Sequence, residues 1–182
     1  YGIQLDASTN DTIVLNNSIF DGGSGSTNSG VRIVDRSFRN NITHNRVLSR
    51  GTSDSFGINI LNNADSTTIE YNNLTTNGTG DRNRGLQISS STDNSITNNV
   101  IVTNGSASAQ HEGIRITTDT NRTSVNNNNI TTGGPQSDNY GIYLITRATS
   151  NNVSNNLINT SGTSVNIGIR IESGSNDTFV LN

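Results

Sequence analysis

Between residues 84 and 147 the chain gathers most of its reactive side-chain types: Arg84, His111, Glu112, Arg115, Asp138, Tyr140, Tyr143 and Arg147, with Asp81 and Arg82 just ahead of them. Three chemistries fit this set. Glycoside hydrolysis by the usual route needs two carboxylates about 5–9.5 Å apart, and Glu112 with Asp138 is the obvious pair. Proton abstraction beside a carboxylate needs a base and a neutralising cation, which His111 or Tyr140 supplies together with Arg115. Recognition without turnover needs planar hydrogen-bonding and stacking groups, which Arg84, Arg115, Tyr140, Tyr143 and Arg147 offer alongside Asp138. The catalytic candidates are therefore His111, Glu112 and Arg115; the ligand-binding candidates are Arg84, Arg115, Asp138, Tyr140, Tyr143 and Arg147.

The rest of the chain is poor in chemistry. It has 182 residues, 29% of them apolar and 14% charged, with a formal net charge of −3. That length fits one domain spanning 1–182. Cys is absent, so disulfides and thiolate metal sites are excluded. All eleven cationic residues are Arg and they are scattered, which argues against a nucleic-acid partner. No apolar run approaches the roughly 18 residues of a membrane-spanning helix, so membrane insertion is not expected. The loop residues Asp21, Asp54, Asp81 and Asp138 are the only calcium candidates, and they form no recognisable ligand set. No cofactor and no metal centre is expected.

What positions the reactive residues is a repeat. A Gly-apolar-x-apolar motif recurs at Gly2, Gly30, Gly57, Gly85, Gly113, Gly141 and Gly168, at intervals of 28, 27, 28, 28, 28 and 27 residues. In each complete repeat it is followed by apolar-x-x-Asn-x-apolar, with the Asn at 17, 45, 72, 99, 128 and 156. Then comes a polar stretch that usually contains Gly. Both motifs alternate with period two, as strands do, and their residues are mostly β-branched. Each repeat therefore reads as three short strands separated by bends. Stacking in parallel about 4.8 Å apart, the repeats form a rod roughly 30 Å long. Twenty-seven of the 43 Ile, Val, Leu and Phe residues fall on four inward positions per coil. Asn17, Asn45, Asn72, Asn99, Asn128 and Asn156 then stack as an internal amide ladder. Seven residues after each Gly lies a column of mostly small residues for a tight corner: Thr9, Ser37, Ala64, Thr92, Thr120, Ala148 and Ser175. The outward residues Gln4, Arg32, Asn59, Gln87, Arg115, Tyr143 and Arg170 line up on the Gly-apolar-x-apolar face.

Gly-Ile-x-Ile followed by (Thr/Ser)-x-Ile-x-x-Asn-x-Ile resembles the right-handed parallel β-helix repeat. That repeat is shared by pectate lyases, polygalacturonases, alginate epimerases, phage tailspikes and the NosD-like carbohydrate-associated surface proteins. The resemblance covers essentially the whole chain, and the regular, Asn-rich coils are most similar to the NosD-like repeats. Its motif residues are packing residues, so it specifies fold more than function. A copper role of the NosD-like kind lacks ligands here, since Cys and Met are absent and His44 and His111 are the only histidines. His111-Glu112 is similar to the His-acid pair of alginate epimerases, but Ala109-Gln110 stand where that motif has other residues. A leucine-rich repeat would need a helix in each returning segment. A calcium-binding β-roll would need dense Gly-Gly-x-Gly-x-Asp repeats, and Asp21-Gly22-Gly23-Ser24-Gly25 stands alone.

The expected fold is a single right-handed parallel β-helix of about 6.5 coils, all-β, forming a segment of a longer chain whose flanking domains or caps are its neighbours. The expected function is a non-enzymatic module of a secreted or cell-surface protein, either associated with carbohydrate or serving as a structural rod. The alternatives are a polysaccharide lyase or epimerase acting on acidic polysaccharide, and a purely structural spacer or assembly element. Val34, Leu61 and Ile145 fall on the outward side of their strands and leave a homo-oligomer open as a further partner. About eleven Asn-x-Ser/Thr sequons occur, as expected in so Asn- and Thr-rich a chain.

Overall fold

In the computed structural model the chain is described at residues 1–25, 27–52, 54–80, 82–106, 110–134 and 138–181. These residues contain strands and bends and no helix. The strands fall into three parallel sheets. Sheet A holds β1 (Ile3–Leu5), β4 (Thr27–Ile33), β7 (Asp54–Leu61), β10 (Asn83–Ser89), β13 (His111–Thr117), β16 (Asn139–Ile145) and β19 (Asn166–Ile171). Sheet B holds β2 (Ile13–Leu15), β5 (Asn41–Thr43), β8 (Thr68–Glu70), β11 (Ser95–Thr97), β14 (Ser124–Asn126), β17 (Asn152–Ser154) and β20 (Phe179–Leu181). Sheet C holds β3 (Ser18–Asp21), β6 (Arg46–Ser49), β9 (Asn73–Thr76), β12 (Val100–Asn104), β15 (Asn129–Gly134) and β18 (Leu157–Gly162). Every strand pairs with the strand three positions on, so each turn of the chain adds one strand to each sheet. The result is a solenoid of six complete coils and two strands of a seventh. Among the described residues no helix is long and apolar enough to cross a membrane.

The core follows the period-two pattern. In coil 5, Ile114 and Ile116 point inward from sheet A, Val125 from sheet B and Ile130 from sheet C, and all four are buried. The coil glycine changes that alternation. A Cβ at Gly113 would lie 2.3 Å from Ile130 Cγ2 and 2.5 Å from the Gly141 carbonyl oxygen, so the bend at this point of β13 closes only on glycine. Because Gly113 and Ile114 both face inward, Glu112 and Arg115 come out on the same outer side. This is why sheet-A strands in the inner coils start two or three residues before the glycine and carry two outward columns.

The amide ladder stands at the corner between sheets B and C. Asn45 illustrates it: its N–H donates to Asn72 Oδ1 at 2.9 Å, and its Nδ2 donates to Asn72 Oδ1 (3.0 Å), Val14 O (2.8 Å) and Thr43 O (3.0 Å). Asn72, Asn99 and Asn128 repeat the pattern. The residue before each ladder Asn adopts positive φ: Asn16, His44, Tyr71, Asn98, Asn127 and Asn155 lie between 53° and 56°.

A second polar column lies at the corner between sheets A and B. It alternates strictly: Thr12, Asn40, Thr67, Asn94, Thr123, Asn151. Asn40, Asn94 and Asn151 each use Oδ1 to accept the N–H of the Thr one coil earlier, at 3.0, 2.9 and 2.9 Å. The small-residue column beside it needs one correction. Its member in coil 4 is Ser91, not Thr92: Ser91 is buried and its Oγ accepts the Ala64 N–H, while Thr92 bridges to Asn121. Gly85 and Asn99 are 14 residues apart where other coils have 15, so the corner of coil 4 is one residue short. Val34 is a further correction: it is buried, and Leu61 and Ile145 are half-buried.

Candidate functional site

Sheet A brings most of the sequence candidates onto one outer face. Parallel pairing aligns Phe56, Arg84, Glu112 and Tyr140 in one column, and Asn59, Gln87, Arg115, Tyr143 and Arg170 in the next. Neighbours in a column are one strand spacing apart, which is stacking distance for planar groups. The Arg84 guanidinium lies over the Phe56 ring at 5.4 Å, Arg115 over Tyr143 at 5.2 Å, and Arg170 over Tyr140 at 5.1 Å. The Tyr140 and Tyr143 rings lie 4.9 Å apart.

The charges in this stack neutralise one another. Glu112 has 0% side-chain exposure and sits between two arginines. Its Oε2 accepts from Arg84 Nε, and its Oε1 accepts from Arg115 Nη1 at 2.6 Å. Arg84 is itself buried; burial pulls its pKa down against the opposing pull of Glu112. At the coil-7 end, Glu172 accepts from the Tyr143 hydroxyl and from Arg170 Nε at 2.8 Å. Arg170 Nη1 also donates to the Tyr140 hydroxyl at 2.5 Å, which in turn donates to Asp138 Oδ2 at 3.2 Å. Burial, followed by the Glu172 hydrogen bond, pushes the Tyr143 phenol up to about 12. The Tyr143 hydroxyl and then Arg170 hold Glu172 below the usual carboxylate range, and the Ser164 hydroxyl does most to lower Asp138.

Two candidates lie elsewhere. His111 points inward from the same strand that carries Glu112 outward, and it is fully buried. It continues an interior polar column beneath the sheet C–A corner, where Ser55 Oγ accepts the Gly51 N–H and Asn83 Oδ1 accepts the Gly78 N–H, both at 2.9 Å. Asn83 Nδ2 lies 3.4 Å from His111 Nδ1, and burial lowers the pKa of the imidazole. Arg147 stands at the sheet A–B corner, exposed, and pairs with Asp119 at 2.6 Å. It does not reach the stack.

Two residues completing the arrangement were not among the sequence candidates: Phe56, which floors Arg84, and Glu172, which caps Tyr143 and Arg170. The readable signal for Glu172 was its position four residues after Gly168, outward by alternation with Arg170. Among the loop aspartates, Asp54 pairs with Arg82 at 3.0 Å, Asp138 is engaged as above, and Asp81 lies outside the described residues. Among the described residues no group of three or more His, Asp or Glu side chains gathers as a metal-binding cluster.

The coil geometry, stacked corners and amide ladder define a parallel β-solenoid. Comparison with known families gives a match to the right-handed β-helix region over residues 1–158, and the chain belongs to that family. No curated protein matches the chain.

Proposed function

We propose that this chain is a non-enzymatic β-helix module of a secreted or cell-surface protein, a rigid rod that associates with carbohydrate. The observation that carries the reading is the internal neutralisation of the sheet-A stack. Glu112 is buried between Arg84 and Arg115, and Glu172 is held by Tyr143 and Arg170. Hydrolysis requires two carboxylates that reach a substrate, but Glu112 is taken up by its two arginines and Asp138 accepts from Ser164 and Tyr140. Elimination or epimerisation requires an accessible base with a pKa near the working pH. His111 lies inside the coil, and burial raises both the Tyr140 and the Tyr143 phenols above the ordinary range, Tyr143 to about 12. The rod character rests on three continuous sheets, the Asn ladder and the alternating Thr/Asn column.

The test is incubation with polygalacturonate and alginate, following the ultraviolet absorbance of unsaturated uronates, together with electrophoresis through gels containing neutral or acidic polysaccharides. Retardation without new absorbance is the expected outcome. Turnover that disappears in Arg115→Ala would reverse the reading in favour of an enzyme. Absence of retardation on any polysaccharide would leave the module as a spacer.

A further inference from the structure

The sheet B–C corner carries a feature that packing does not require. Its positive-φ position is held by Asn in coils 1, 4, 5 and 6, a side chain that tolerates this conformation well. Coils 2 and 3 place His44 (φ 56°) and Tyr71 (φ 54°) there instead. Positive φ recurs at the corners of every coil, at Thr118, Thr146 and Arg122 among others, so what sets coils 2 and 3 apart is the pair of aromatic side chains carried there. The two rings stack on one another, with centroids 5.1 Å apart and planes at 28°. Both are exposed, Tyr71 at 52%. The His44 ring is fixed by a 2.8 Å hydrogen bond between Nδ1 and Thr43 Oγ1.

The surroundings select the kind of ligand. Glu70 precedes Tyr71 on sheet B, and Arg46 and the exposed Asn73 open the neighbouring sheet-C strands. The rim is therefore polar, with one charge of each sign. A wholly apolar partner would leave those groups unpaired, and a polyanion would meet Glu70. A pyranose ring has an apolar C–H face and a hydroxyl edge, which matches an aromatic platform bordered by hydrogen-bonding side chains. We infer that His44 and Tyr71 form a platform for a neutral sugar ring of a polysaccharide. The inference rests on the carbohydrate association proposed above and moves its contact from sheet A to this corner.

The Asn found in the other coils supplies a clean variant. In His44→Asn/Tyr71→Asn the corner regains the residue its backbone favours, so the variant is expected to melt no lower than the parent. It is expected to lose binding by roughly tenfold or more, the scale of removing a stacked aromatic contact. Affinity electrophoresis in hydroxyethyl cellulose, laminarin, polygalacturonate and polyuridylate reads the ligand class. Retardation of the parent by a neutral glucan, lost in the double variant and kept in Arg115→Ala, supports the platform. Retardation that survives the double variant but fails in Arg115→Ala overturns the platform while keeping the carbohydrate reading. Preferential retardation by polyuridylate or polygalacturonate overturns the neutral-sugar assignment. A parent retarded by none of the four overturns both.

Discussion

Two stacks run along this solenoid at the same pitch, and they are built on opposite rules. The ladder Asn45, Asn72, Asn99, Asn128 repeats one residue type, whereas the sheet-A columns never place two like charges in succession. The difference is one of self-complementarity. An amide carries donor and acceptor on one planar group, so translation by one coil brings each Oδ1 onto the next donor and the row satisfies itself. A guanidinium has donors only. Two of them about one strand spacing apart would repel, so Arg84 needs Phe56 on one side and Glu112 on the other. Amides can therefore be repeated without limit, while a charged column must keep like charges apart, as the second column does with Tyr143 between Arg115 and Arg170.

The largest predicted effect comes from interrupting the self-complementary stack. Asn72→Ala removes the acceptor for two Asn45 donors and the donor to Ile42 O, all buried, and is expected to cost about 4 kcal/mol at 1–3 kcal/mol per orphaned group. Asn17→Ala, at the exposed first rung, is expected to cost about 1 kcal/mol. Urea denaturation of the two variants measures the gap, and equal losses would break the account of the ladder as a cooperative row.

Next comes Glu112→Ala, which strands the buried Arg84 guanidinium and is expected to cost about 3 kcal/mol. The pair replacement Arg84→Met/Glu112→Leu should recover most of that loss, because removing both charges removes the desolvation penalty. A double variant as unstable as Glu112→Ala would mean that the ion pair, and not its neutralisation, holds this face.

Acid titration separates the interior from the outer stack. Burial lowers the His111 pKa in the fold, so the unfolded chain takes up the proton first. Stability from this group is complete above about pH 6.5 and declines as pH falls from there towards the folded pKa. Glu172 and Asp138, also lowered, contribute stability that is complete above about pH 4.5 and lost below it. Thermal melting against pH should therefore decline in two stages, and His111→Asn should abolish the upper one. The smallest effect is expected at Arg39, whose ion pair with Asp11 is solvent-exposed. Arg39→Ala should leave the denaturation midpoint unchanged.

The coil length, the inward aliphatics and the amide ladder were legible because they recur in every repeat. The ladder residues needed only their spacing from the glycines. The outer stack was legible as a set of aligned residues, but its burial was not. Nothing in a linear pattern says that Glu112 and Arg115, three residues apart, emerge on the same side; that follows from a bend which only glycine permits. The same bend turns His111 inward, which reverses its reading as an accessible base. Coil 4 hid its short corner because the interval from Gly85 to Gly113 remains 28 residues. The 14-residue step from Gly85 to Asn99 was the available signal.

The alternation of Thr and Asn at the sheet A–B corner has a consequence for how such an array is assembled. Because Asn40, Asn94 and Asn151 each serve the Thr one coil earlier, the side-chain bonds at this corner link the coils in couplets: 1 with 2, 3 with 4, 5 with 6. Skipping a single coil during folding sets Thr on Thr or Asn on Asn, and Thr on Thr forfeits an amide acceptor for a buried N–H. Skipping two coils restores the pattern. The couplet, about 55 residues long by the glycine intervals, is thus the unit by which this rod resists slippage and the increment by which it grows or shortens at least cost.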